Sequence, residues 1–302
     1  MKQKTINRII RKKVSAWIKS ITDESLRNEL KENVLVSGGC ITSLFLKENV
    51  NDYDIYIKSP EVLKRLCQYY VDEFSTHIKS SVKDITLTVQ DHEDSQGDRR
   101  IAIKVQSAGI ATVGSDTESY TYFESRDDAE ADEYVGNILD EAVIAFKKPT
   151  KKYSPVFITS NAISLSDDIQ IVTRFWGSAE EIHKNYDFVH CTNYWDHEGL
   201  HLNTEALACT LSKELKYQGS KYPITSFVRA VKFAKRGWSI NAGQMFKITH
   251  QINKLDLNDF SVLRDQLMGV DAAYFNQVLR RLDREEEIDS TYLMELIEEV
   301  FE

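Results

Sequence analysis

The sequence predicts an α+β protein in which a small mixed sheet flanked by helices is followed by an all-helical part. Three observations predict it. Up to about residue 200, short runs rich in β-branched and aromatic residues alternate with segments of helical period. From Asn203 onward the period is helical alone, punctuated by Pro223, Gly237-Trp238, Gly243 and Gly269. Near the start of the chain, an apolar strand, a Gly38-Gly39 turn, a helix and the strand-like Asp52-Tyr53-Asp54-Ile55 follow one another within 25 residues.

The 302 residues suffice for about two domains, with a boundary near 200. A composition 42% hydrophobic and 10% aromatic excludes an intrinsically disordered chain. No apolar run approaches the ~20 residues of a membrane span, and the basic start Met1-Lys2-Gln3-Lys4 lacks a signal-peptide core. Cys40, Cys67, Cys191 and Cys209 are scattered without CxxC spacing, which argues against a disulfide framework or zinc ribbon. A cytoplasmic protein is expected. The net charge of −9 argues against nucleic-acid binding over the whole surface. Charge is uneven, however. Residues 1–20 carry Lys2, Lys4, Arg8, Arg11, Lys12, Lys13 and Lys19 and no acid, whereas Asp283–Glu302 is strongly acidic.

Ile6, Ile9, Ile10, Val14 and Trp17 recur at helical spacing and predict a helix over 5–20. A strand is expected over Asn33–Ser37, a helix over Cys40–Lys47 and a strand over Tyr53–Ile57. A helix opening at Ser59-Pro60-Glu61 should reach about Ile78. Strand patterns follow at Ile85–Val89, Arg100–Val105 and Ile110–Val113, broken by a turn at 94–98, then an acidic helix over 127–146. Further strands are expected at Val156–Thr159, Ala162–Leu165, Ile169–Phe175 and Tyr186–His190, with a short helix at 178–184.

Chemistry concentrates in residues 37–54. Transfer of a nucleotide requires charge to be stabilised on the oxygens that enter and leave an α-phosphate. Two Mg²⁺ ions about 4 Å apart do this and need converging carboxylates. Acids two apart on a strand point to one face, so Asp52 and Asp54 can converge while Tyr53 and Ile55 face the core. Gly38 and Gly39 let backbone approach a triphosphate, and the N–H groups opening the next helix suit its charge. Ser37 and Thr42 are candidate hydroxyl donors there. A Gly-Gly pair alone is only a turn, and Asp-x-Asp alone is often a solvated edge; their order and spacing carry the signal.

The run Val34–Gly39 through Asn51–Ile57 resembles the first motif of the polymerase-β nucleotidyltransferase superfamily, notably enzymes that build the CCA end of tRNA and uncharacterised bacteriophage nucleotidyltransferases. Ile169–Arg174 resembles their third active-site strand. Tyr186-Asp187-Phe188 with Asn193-Tyr194 resembles their Arg-Arg-Asp-Phe-Thr-x-Asn-Ala segment, and Phe227–Ile240 a later helix. The resemblance implies a polymerase-β-like catalytic domain over 1–200, with an insertion at about 84–150, and a helical nucleotide- or acceptor-binding domain over 201–302. It implies Mg²⁺ or Mn²⁺, with Asp52, Asp54 and Asp187 as catalytic and metal residues, Asp187 alternatively contacting the nucleotide sugar. Ser37, Gly38, Gly39, Thr42, Arg174, Arg229 and Lys232 would serve the nucleotide. Arg229, Lys232 and Arg236 fall on one helix face suited to phosphate. Departures matter too. Gln170 stands where a carboxylate is usual, Thr42 where an arginine is usual, and the base-reading Glu-Asp-x-x-Arg falls on Tyr222, Pro223 and Ser226.

Rival sites are weaker. His190, Cys191, His197 and His201 match no zinc spacing, and His92-Glu93-Asp94 reads as a solvated turn. Trp176, Trp195 and Trp238 can stack on bases but more often pack. Ser37 or Cys40 as a nucleophile lacks a histidine nearby in sequence. The expected activity is NMP transfer from an NTP (ATP or CTP) to an acceptor hydroxyl, foremost an RNA 3′ end such as that of tRNA. A protein or small-molecule acceptor, or a non-catalytic nucleic-acid-binding protein of the same fold, stays open. No membrane partner is expected.

Overall fold

The computed structural model describes residues 1–78, 85–93, 99–107, 151–158, 161–257, 259, 262 and 266. The expected turn at 94–98, strand Ile110–Val113, helix 127–146 and acidic segment 283–302 lie outside the described residues, as do Gly269 and most of the 84–150 insertion. The chain divides into two compact units. One holds Met1–Lys184 and Cys191–Asn203; the other holds Asn185–His190 and Thr204–Glu302.

In the first unit, helix α1 (Gln3–Ser20) buries Ile6, Ile10, Val14, Trp17 and Ile18. Helix α2 (Glu24–Asn33) was not expected, because only Leu26 and Leu30 are buried along it. Its start is fixed by the Asp23 side chain, which accepts from the Leu26 N–H at 3.0 Å. Strand β1 (Val34–Ser37) leads through Gly38 into α3 (Gly39–Leu46), then β2 (Tyr53–Ile57) and α4 (Pro60–Ile78). Strands β3 (Ile85–Glu93) and β4 (Arg99–Ser107) form a separate antiparallel ribbon, longer than expected, and Leu87, Ile101 and Ile103 join the main core. Strands β5 (Pro155–Ile158), β6 (Ala162–Leu165) and β7 (Ile169–Val172), helix α5 (Ala179–His183), and strands β8 (Tyr194–Trp195) and β9 (Leu200–His201) complete the unit.

The main sheet runs β5-β6-β7-β2-β1-β8-β9. Its pairs are antiparallel except β2–β7, so the sheet is mixed. Register explains its two faces. Ile163, Ile171, Ile55, Val36 and Trp195 stand side by side across five strands and enter the core. One residue along, the row reads Ser164, Gln170, Asp54, Ser37, Tyr194 and His201. Because side chains alternate between faces, this polar row shares the opposite side of the sheet.

Two expected strands are corrected. The one predicted over Ile169–Phe175 stops at Val172, after which the Thr173 N–H bonds Asn161 and the chain turns through Gly177 at φ 115°. The one predicted over Tyr186–His190 is a single bridge from Phe188 to Tyr217 followed by a 3-10 turn at Val189–Cys191.

In the second unit, helices α6 (Thr204–Ser212), α7 (Pro223–Lys235) and α8 (Ala242–Ile252) are described. Phe188, His190, Tyr217, Phe233 and Trp238 pack ring against ring, with His190 4.4 Å from Trp238 and 4.7 Å from Phe233 between centroids. Among the described residues, no helix is long and apolar enough to cross a membrane.

Candidate active site

The glycine turn is built from the backbone outward. Gly38 sits at φ 87°, ψ −153°, a conformation that side-chain-bearing residues rarely adopt. It caps α3 without a side-chain hydrogen bond, so the first-turn N–H groups of this helix are not occupied by a capping side chain. The Gly38 N–H itself donates to the Cys191 carbonyl at 3.3 Å. A methyl group added at Gly39 would meet nothing within 4 Å, which leaves open space at the helix start.

Asp54 lies on β2 directly opposite Ser37, and Asp52 stands immediately before the strand. The thiol of buried Cys40, in the first turn of α3, is pushed well above its ordinary value by burial, then by Asp54 and by Asp52. Both carboxylates therefore act at the same helix start. Asp52 reaches solvent, yet crowding by protein and then the charge of Asp168 raise its carboxyl pKa. Concentrated negative charge that is partly desolvated is what a divalent cation relieves.

Ser37 and Thr42 are both buried, at 0% and 3% exposure, so neither presents a free surface hydroxyl. The Ser37 Oγ is 2.9 Å from His183 Nε2, 2.9 Å from the Asn193 carbonyl and 3.3 Å from the Cys191 carbonyl. Burial lowers the His183 pKa to about 4, so its ring is neutral at pH 7. The arrangement that satisfies every atom has His183 Nε2–H donating to Ser37 and the serine hydroxyl donating to a carbonyl. A histidine remote in sequence thus accompanies Ser37 in space, yet the serine is sealed from solvent and braces the turn. Sequence reasoning missed His183, because 146 residues separate it from its partner. The only local signal was the Ser178/Glu181 capping box that starts α5.

Gln170 is the register partner of Asp54 on the parallel neighbour β7. The position where the resemblance expects a carboxylate therefore lies beside Asp54 and is neutral. Arg174 follows the end of β7 at Val172, and its guanidinium lies 5.7 Å from the Phe175 ring centroid.

Asp187, Arg229 and Lys232 belong to the second unit. There Arg229 Nη1 donates to Asp187 Oδ2 at 2.9 Å, uniting two residues singled out separately. Asp187 is 6% exposed, whereas Arg229, Lys232 and Arg236 are exposed along α7. The positions aligned with a base-reading motif, Tyr222, Pro223 and Ser226, form the N-terminal turn of α7; Ser226 is fully buried and its hydroxyl donates to the Tyr222 carbonyl at 3.2 Å.

Among the described residues, one group of three metal-ligating side chains comes within sharing distance: Asp196, Glu198 and His201. It is the turn of the β8–β9 hairpin. Asp196 already accepts from Lys58 at 3.0 Å and meets His201 Nε2 at 2.8 Å, while its Oδ1 also takes the Glu198 N–H. Trp195 and Trp238 are buried packing residues, the former donating to Asn7.

Fold and site define an α+β protein whose mixed sheet bears a pair of carboxylates at a glycine turn. The chain belongs to the Gabija anti-defense 2 family, whose model matches residues 8–213. A relative from Bacillus phage SPbetaL7, "Gabija anti-defense 2", is 21% identical over 251 residues, covering 82% of this chain and 44% of its own length. The chain therefore spans less than half of that relative. Similar solved structures include the Thermotoga maritima CCA-adding enzyme complexed with tRNA (TM-score 0.37, 12% identity, 95% of this chain and 54% of that one). A tRNA-processing enzyme with CTP has a TM-score of 0.36 at 13% identity, covering 90% of this chain and 69% of that one. The Bacillus stearothermophilus CCA-adding enzyme with CTP has a TM-score of 0.35 at 10% identity, covering 87% and 50%.

Proposed function

We propose that this chain is a metal-dependent nucleotidyltransferase that moves NMP from an NTP to an acceptor hydroxyl, foremost an RNA 3′ end. One observation carries the reading: Asp54 stands opposite Ser37, one residue before a turn that only glycine adopts comfortably, and Asp52 immediately precedes the same strand. Asp52 and Asp54 would hold Mg²⁺, and their partly desolvated charge fits a divalent cation. When bound, the ion supplies Lewis-acid stabilisation of the reacting phosphate oxygens. The chain's own contribution is positioning. First-turn N–H groups of α3 donate to phosphate oxygens, Gly38 and Gly39 admit the triphosphate, and Ser37 with His183 holds the turn still. In the second unit, Arg229 and Lys232 are proposed as cations suited to phosphate, with Asp187 keeping Arg229 oriented.

The acceptor has a second reading. Burial of Ser226 and the start of α7 at Tyr222-Pro223 favour an acceptor selected without the base-reading chemistry of tRNA enzymes, namely a protein or a small molecule. The family name adds a role against Gabija defence, which would make the acceptor a molecule that defence contains or needs. Incubation with each α-labelled NTP, Mg²⁺ and either total RNA or lysate protein separates these readings. Label in RNA supports the first and label in protein the second. Absence of transfer in every arm, or transfer unchanged in Asp54→Ala, overturns the enzyme reading.

A further inference from the structure

We infer that the outer face of α1 is a docking surface for the phosphate backbone of a nucleic acid. At 100° per residue, Lys4, Arg8, Arg11, Lys12 and Lys19 fall within an arc of about 100°, over roughly 22 Å of helix axis. All five are exposed. The apolar residues Ile6, Ile10, Val14 and Trp17 occupy the opposite side and are buried in the unit's core.

What separates this stripe from an ordinary solvated helix is that neither the helix itself nor an ion pair among the described residues balances it. Helix α1 contains no Asp or Glu, although acids outnumber bases 47 to 38 in the chain. No ion pair joins any of the five cations to a described carboxylate. Several other cations of the same unit are paired: Arg65 with Asp23 and Glu29, Lys64 with Asp91, and Lys151 with Glu73. Lys13 also belongs to α1 but lies off the stripe. It points the other way, reaching Asp168 at 3.7 Å and sitting 5.2 Å from the Tyr53 ring centroid. Among the described residues, the stripe therefore keeps like charges together with no ion-pair partner, at a standing cost in repulsion.

The ligand chemistry follows from shape. The charges are spread along a convex helix and enclose no cavity, so a small anion would meet one or two of them. A polyanion meets all five, since roughly 22 Å of duplex axis carries about a dozen phosphates. Lipid is the poorer fit, because surface-lying membrane helices insert an apolar face and that of α1 is committed to the core. Five cations spread along one exposed helix face predict salt-sensitive binding through backbone charge.

The inference stands apart from the nucleotidyl-transfer reading and is tested without NTP or Mg²⁺. Fluorescence anisotropy would follow a labelled 20-mer RNA strand, an RNA duplex and a DNA duplex against the full chain from 50 to 200 mM salt. Five contacts predict a log–log slope near −3.5 for single strands and −4.5 for duplexes, that is, affinity falling roughly 10²–10³-fold across that range. The quadruple variant Arg8→Gln, Arg11→Gln, Lys12→Gln and Lys19→Gln should flatten the slope by about 3. A control with the same charge change elsewhere (Lys31→Gln, Lys64→Gln, Lys151→Gln, Lys254→Gln) should keep the wild-type slope. Comparing the three oligonucleotides identifies which nucleic acid is preferred. Wild-type binding absent at 50 mM salt, a slope near zero, or a stripe variant that binds as wild type would overturn the proposal. So would binding to phosphatidylserine vesicles but to none of the oligonucleotides.

Discussion

At the scale of single residues, Asp54 and Gly38 make different demands on the same few ångströms. Asp54 contributes charge. Its replacement by Asn keeps shape and removes half of the carboxylate pair, so labelled-NMP transfer should fall by at least about 10²-fold with the melting temperature little changed. Retained transfer in that variant would remove Asp54 from the chemistry. Gly38 contributes conformation. A side chain at φ 87°, ψ −153° is strained, so Gly38→Ala should cost on the order of 1–3 kcal/mol, read from urea midpoints at constant slope. Both residues were legible in the sequence, because strand, turn and strand lie within one short stretch and period-two alternation assigns faces directly. His183 was not. A contact between residues 37 and 183 depends on how the sheet closes, and local pattern carries no record of it.

At the scale of elements, α5 matters because one end of it is tied to the glycine turn. His183→Ala removes the bond to Ser37, whereas His183→Gln keeps an N–H donor of similar reach. If the helix positions the turn, Ala should raise the KM for NTP several-fold and Gln should restore most of it, at equal stability. Equal KM values for wild type and the Ala variant would reduce His183 to packing. Helix α2 offers a simpler case: Asp23→Ala removes its N-cap and should cost about 0.5–2 kcal/mol. Legibility at this scale followed length and amphipathicity. Helix α1 and strand β2 announced themselves through regular apolar spacing. Helix α2, with two buried residues, and the two-residue strands β8 and β9 offered too little pattern to detect.

At the scale of the whole molecule, two histidines link stability to pH. Burial holds His183 and His190 at about 4, below the ordinary 6.5, one in each unit. Between those values the unfolded chain binds more protons than the folded one, so unfolding free energy rises with pH there. The stability they contribute is full above about pH 6.5 and lost as pH falls toward 4. Each histidine is worth up to roughly 3 kcal/mol by this linkage. Urea titrations at pH 7 and pH 4.5 should show the loss. His190→Phe, which suits the surrounding rings of Phe188, Phe233 and Trp238, should remove part of it.

The parallel pairing of β2 with β7 carries a consequence for how such a chain diversifies. Neighbours that run the same way cannot be joined by a hairpin, so everything from Lys58 to Asp168 is one long bridge from strand to strand. Asp54 and Gln170 hold the two ends of that bridge in step. Each doubling of a flexible loop costs only about 0.6 kcal/mol in closure entropy. New cargo can therefore be spliced into its middle, exchanged or enlarged, while the paired acids keep their station. Length variation in that span is therefore the change this architecture resists least.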